Sequence, residues 1–115
     1  MTLDEFRREM NAYWQSALEK AKAEKHPYFM LDMLHTLYRK FDVDERQMAD
    51  QVISEWLFAE NESKRACARS LIVHQNIVTA VSALRESERH LASSTEPNAA
   101  SELKAVRRTI EELGK

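Results

Sequence analysis

One glycine, two prolines and one cysteine stand among 115 residues, and each scarcity excludes something. Tight turns draw on Gly and Pro, so their near absence argues against a turn-rich sheet protein and favours helices joined by short links. A single cysteine excludes an internal disulfide, and with it the disulfide scaffold of small secreted domains. With Gly114 as the lone glycine there is no phosphate-cradling loop and no G-x-S-x-G elbow for a nucleophilic serine. No apolar run approaches the roughly 18 residues that span a bilayer, and the opening MTLDEFRREM carries charges every few residues in place of an apolar signal core. The expectation is a soluble, cytoplasmic protein with no membrane segment.

Hydrophobic residues make up 43% and charged residues 31%, a balance that supports a packed core and argues against disorder. The length suits one domain over residues 1–115. The net charge of -2 argues against nucleic acid as a partner, but the charges are segregated. Between Asp42 and Glu62 seven acidic residues face one base, Arg46, whereas Lys64 to Arg108 holds eight bases and four acids. Such polarity can orient a charged partner.

Helical spacing organises what is present. Thr2 and Glu5 form a capping box for a first helix, whose stripe is Leu3, Phe6, Met10, Tyr13, Trp14, Ala17, Leu18 and Ala21. It ends near Lys25, because Pro27 disfavours helical geometry at His26 and suits the first turn of a second helix. YFMLDMLHTLYRKF is apolar nearly all round, which predicts the most buried helix of the chain. Asp42 or Asp44 caps the third helix, with Gln47 completing a box for Asp44, over a stripe of Met48, Val52, Ile53, Trp56 and Leu57. Asn61 caps a fourth helix with the narrow face Ala66, Cys67, Ala68, Leu71 and Ile72. HQN breaks it, and Asn76 caps a fifth with Ile77, Ala80, Val81, Leu84 and Leu91 inward. After the loop ASSTEPN a sixth helix carries Leu103, Val106, Ile110 and Leu113, with Gly114 at its C′ position. The expected fold class is all-α, about six helices as antiparallel hairpins, either an (αα) superhelix or a compact irregular bundle.

Candidate chemistry is thin. Cys67 and His74 share a helix face but lie about 10 Å apart along the axis, too far to hold one zinc ion. Asp32 and His35 are within reach of each other, yet a carboxylate-bridged di-iron bundle needs two Glu-x-x-His pairs, and the chain has none. No catalytic residue, no metal and no cofactor is expected. A helix-turn-helix reading would use HQN as its turn and present Thr79, Ser82, Arg85 and Arg89, but Glu86 on the same helix repels phosphate.

NESKRACARSLIVHQNIVTAVSALRESERHL, residues 61–91, resembles a HEAT repeat. In that family an Arg–x–x–Ala–x–x–Leu helix, here Arg65, Ala68 and Leu71, is followed by an Ala–Val–x–Ala–Leu helix, here Ala80, Val81, Ala83 and Leu84. Where the family often has proline, this chain has Ser82. The resemblance covers 31 of 115 residues and implies closely approaching helices, an arginine that reaches a neighbouring acid, and a binding module in place of an enzyme. In size and charge the chain also looks like bacterial immunity proteins, which cover a toxin.

The functional expectation is therefore a non-enzymatic protein–protein interaction module, of immunity or regulatory type, that binds and masks another protein. The expected contact surface joins Asp42, Asp44, Glu45, Asp50 and Glu55 to Phe58, Arg85 and Arg89. Phe58 follows the core pair Trp56–Leu57 and so points away from their stripe, as an interface anchor would. A second copy of the chain, giving a homodimer, is a further candidate partner, and the alternative functions are a small helical DNA-binding regulator and an enzyme subunit with an unrecognised acid/base site.

Overall fold

A computed structural model describes residues 1–24 and 29–113. Six α-helices account for most of them: α1 (Leu3–Glu24), α2 (Phe29–Lys40), α3 (Val43–Trp56), α4 (Glu62–His74), α5 (Val81–Ala92) and α6 (Ala99–Leu113). One 3-10 turn, Val78–Ala80, leads into α5, and the described residues contain no strand. The fold is all-α. The expectations for Lys25, His26, Pro27 and Gly114 fall outside the described residues. By its internal contacts the chain divides into two compact units, Met1–Val52 and Ile53–Lys115, and α3 runs from the first into the second.

In unit 1, Thr2 caps α1 as its sequence requires: its hydroxyl accepts the Glu5 N–H at 3.2 Å and donates to the Glu5 carboxylate. Phe6, Met10, Trp14 and Ala17 form the buried stripe. The principal neighbour of α1 is α2, and the Tyr13 hydroxyl ties the two by donating to the Met33 carbonyl at 3.3 Å. Helix α2 is not the most buried helix. Only Leu34 and Tyr38 are buried, and Phe29, Met30, Leu31, Met33 and Leu37 are half-buried, because one principal neighbour within the unit covers one face of an all-round apolar helix. Beyond it, Phe41 packs its ring 5.1 Å from that of Phe6.

The cap of α3 is Asp42, and its box partner is Glu45. The Asp42 carboxylate accepts the Glu45 N–H at 2.8 Å, and the Glu45 carboxylate returns to the Asp42 N–H at 3.0 Å. The pairing of Asp44 with Gln47 is not used, since Val43 is already helical and Asp44 lies inside the first turn.

Unit 2 begins with Ile53, Trp56 and Leu57, all buried. The chain leaves α3 through a tightened turn in which Leu57, Phe58 and Ala59 each donate to the carbonyl three residues back. Asn61 then caps α4, accepting the Lys64 N–H at 3.1 Å. Ala68, Leu71 and Ile72 are buried, Cys67 is half-buried, and Ala66, expected on that face, is exposed. Helices α4 and α5 both find their main neighbour in α6, with Ala80, Leu84, Val106 and Leu113 buried among them.

Asn76 does not cap α5; it terminates α4. Its φ of 53° is left-handed, the Asn76 N–H donates to the Val73 carbonyl at 3.2 Å, and the Ile77 N–H donates to the Ile72 carbonyl at 2.9 Å. These two bonds make a Schellman motif, with Ile77 and Ile72 as its buried apolar pair. Asparagine tolerates this conformation and a Cβ-bearing residue without its polar tip does not. Asn76→Gly is expected to stabilise unit 2 by about 0.5 kcal/mol and Asn76→Ala to destabilise it by about 1 kcal/mol. Urea unfolding in a Trp14→Phe background, followed by Trp56 fluorescence, checks both.

Candidate functional site

Unit 2 holds an open pocket of about 530 Å³. Its lining comes from the turn after α3 (Leu57, Phe58), Arg65 of α4, the Ser87–Leu91 stretch of α5, the loop into α6 at Pro97, and Glu102 of α6. The volume falls in the ~300–1,000 Å³ range of ligand pockets. The turn geometry that ends α3 sends Leu57 inward, 3% exposed, and Phe58 outward, 46% exposed. The outward placement of Phe58 was legible from its phase against Trp56 and Leu57.

One wall is an ionic cluster that holds α4 to α6. The Arg65 guanidinium donates from Nε to Glu102 at 2.5 Å and from Nη2 to the other carboxylate oxygen at 3.1 Å. Its Nη1 donates to the Ala59 and Glu60 carbonyls at 2.7 and 2.9 Å. Arg69 adds a third bond to Glu102 at 3.1 Å. Burial alone would push the Glu102 carboxyl up, but the bonds and charges of Arg65 and Arg69 outweigh it and hold the group below its ordinary value. The same carboxylate raises Arg65 further, against a smaller opposing effect of burial. Glu102 is the acid that Arg65 reaches.

The pocket lining includes Ser87, 6% exposed, whose hydroxyl has no hydrogen bond among the described residues. It sits at the phase of Leu84 and Leu91, so a serine in an apolar stripe was the sequence signal for it. Glu102 has a similar signal, an acid one turn beyond Ala99 and one before Val106 on the buried side of α6.

The expected contact residues are distributed over both units. In unit 1, Asp42 and Glu45 serve the α3 cap, and Asp44 is exposed. Asp50 is half-buried and accepts the Tyr38 hydroxyl at 2.6 Å. Burial pushes the Asp50 carboxyl up, with the Tyr38 bond and the Arg46 charge opposing it. Burial, then the same hydrogen bond and the Asp50 charge, push Tyr38 up against the pull of Arg46, whose guanidinium lies 5.6 Å over the Tyr38 ring. In unit 2, Glu55 is exposed near the end of α3, and Arg85 and Arg89 are exposed one turn apart on α5. Of these only Phe58 lines the pocket.

Among the described residues no three His, Cys, Asp or Glu side chains lie close enough to hold a metal ion, and no helix is long and apolar enough to cross a membrane. Comparison with protein-family models, with curated proteins and with solved structures finds no match to the chain. The class of function then has to come from the chemistry of the site itself.

Proposed function

We propose that the chain is a non-enzymatic protein-binding module of immunity or regulatory type, which acts in the cytoplasm by covering and masking a partner protein. The observation that carries this reading is Phe58, a large aromatic side chain 46% exposed at the rim of an open pocket. Aromatic anchors beside desolvated pockets supply most of the energy of protein interfaces. Arg85 and Arg89 on α5, with the acidic start of α3 in unit 1, supply charge that steers the encounter. The resemblance of residues 61–91 to a HEAT repeat belongs to the same reading, because the helices of that family serve as scaffolds for binding faces.

The test is capture of a stoichiometric partner by the tagged chain, followed by association kinetics with the purified partner. Raising ionic strength from low to high is expected to slow association about tenfold, since exposed charges are screened beyond a Debye length. An on-rate that ignores salt would remove the electrostatic part. A chain that remains a clean monomer with no partner would overturn the reading as a whole.

A further inference from the structure

We propose that the unit 2 pocket receives a tyrosine side chain of the partner protein, flanked there by a basic residue. This rests on the protein-binding reading and names the occupant of its central pocket. Three independent features select that chemistry.

The first is a buried serine. Ser87 is 6% exposed and lines the pocket, and its hydroxyl bonds to none of the described residues. A serine in a helix ordinarily satisfies itself on the carbonyl one turn back, as Thr109 does on Ala105 at 2.8 Å. Ser87 does not, so its hydroxyl stands in the pocket lining with donor and acceptor capacity unused. Filling the pocket with a purely apolar group would seal that hydroxyl away from water without a partner, which is costly. A group with a polar tip avoids that cost.

The second is the wall. Phe58, Leu91 and Pro97 line the pocket, and the Phe58 ring offers a partner ring the offset or edge-to-face contact that aromatic pairs favour. A phenol combines such a ring with a terminal hydroxyl that can both donate to and accept from Ser87.

The third is the charge at the mouth. Arg65 spends its Nε, Nη1 and Nη2 donors on Glu102 and on the Ala59 and Glu60 carbonyls, and Glu102 is matched by Arg65 and Arg69 together. Besides the exposed His90 imidazole, what is left is Glu60 and Glu96, exposed carboxylates of the lining with no ion pair among the described residues. They favour a cation next to the ring. Because Phe58 and both carboxylates reach outward from the cleft, a ligand confined to its interior leaves them uncovered. A residue within a longer chain, with a neighbouring Lys or Arg, does not.

The experiment titrates the 15N-labelled full chain with blocked dipeptides, following amide shifts and affinity. N-acetyl-Tyr-Lys-amide is expected to bind with shifts at Phe58, Ser87 and Leu91. N-acetyl-Phe-Lys-amide is expected to bind about fivefold more weakly, the value of one ordinary hydrogen bond. Ser87→Ala should erase that fivefold difference, weakening the tyrosyl peptide and tightening the phenylalanyl one, which no longer seals an unpartnered hydroxyl, and Glu60→Gln with Glu96→Gln should erase the preference for Tyr-Lys over Tyr-Glu. The Tyr/Phe comparison on the unmodified chain needs no variant to fold. Absence of shifts at the pocket, equal binding of the Tyr and Phe peptides, or equal losses for both in Ser87→Ala would each overturn the proposal. Tyramine binding more tightly than the peptides would overturn the partner-protein source in favour of a free arylamine. A partner protein that still binds while the peptides do not would sink the tyrosine pocket and leave the protein-binding reading standing; peptide binding with no protein partner would do the reverse.

Discussion

Replacing Glu102 by alanine is expected to destabilise unit 2 by about 3 kcal/mol. The size follows from where the charges sit. The Glu102 side chain is 10% exposed, and its partners Arg65 and Arg69 are 22% and 14% exposed. Exposed ion pairs contribute about 0–1 kcal/mol, whereas removing one member of a buried pair costs about 3–5 kcal/mol, because the remaining charge stays desolvated and unmatched. The cluster lies near the buried limit, and the variant leaves two guanidiniums without the carboxylate that matches them. Glu102→Gln retains shape and one acceptor and is expected to lose about half as much. Urea unfolding of both variants in a Trp14→Phe background, where Trp56 reports on unit 2, measures the change. A midpoint shift with unchanged slope means lost stability, and a midpoint within error of the parent would show that the cluster contributes nothing.

The same carboxylate sets a pH dependence of known sign. Arg65 and Arg69, working against burial, hold the Glu102 carboxyl below its ordinary value of 4.5. The unfolded chain therefore takes up that proton first as pH falls, and unfolding is favoured. The stabilisation from Glu102 is complete above pH 4.5 and drains away below it, through the lower folded value. Asp50 in unit 1 acts in the opposite direction. Burial raises it, so the folded state binds that proton more tightly than the unfolded chain does. Acid lowers the stability of unit 2 through Glu102 while Asp50 opposes acid unfolding of unit 1.

Local chemistry explains which parts of this were legible in the sequence. Thr2, Asp42 and Asn61 each announce a helix start through a side chain that reaches only three residues, and each makes the hydrogen bonds expected of that position. The all-α class followed from missing turn residues and from stripes at helical spacing. Asn76 shows where local reasoning fails: the same residue can begin a helix or end one, and only the left-handed backbone that buries Ile77 beside Ile72 decides between them. Helix α2 shows a second failure, since apolarity states what a helix would bury and not how many neighbours it has. The pocket was hidden for a third reason. Its lining comes from the turn after α3, from α4 and α5, and from α6 and the loop before it, and no short-range pattern connects Phe58 to Ser87 or Arg65 to Glu102.

Phe58→Ala is expected to weaken the complex with the partner protein at least thirtyfold, about 2 kcal/mol, while leaving the free chain nearly as stable as before. The two halves of that expectation come from one number. A side chain 46% exposed has already forgone much of the apolar transfer energy that a fully buried phenylalanine contributes, so truncation costs the monomer about 1 kcal/mol or less. In a complex the exposed part of the ring is removed from water and packed, and there its deletion is felt in full. Val78, 57% exposed on the 3-10 turn before α5, is the comparison, because it is fractionally more exposed than Phe58 but does not line the pocket. Val78→Ala should change affinity by less than about threefold. Calorimetric titration of both variants against the partner, with unfolding midpoints as the control for folding, separates an anchor from general surface apolarity. Equal losses from the two substitutions would mean that affinity follows exposed apolar area over the unit, and Phe58 would then hold no special place.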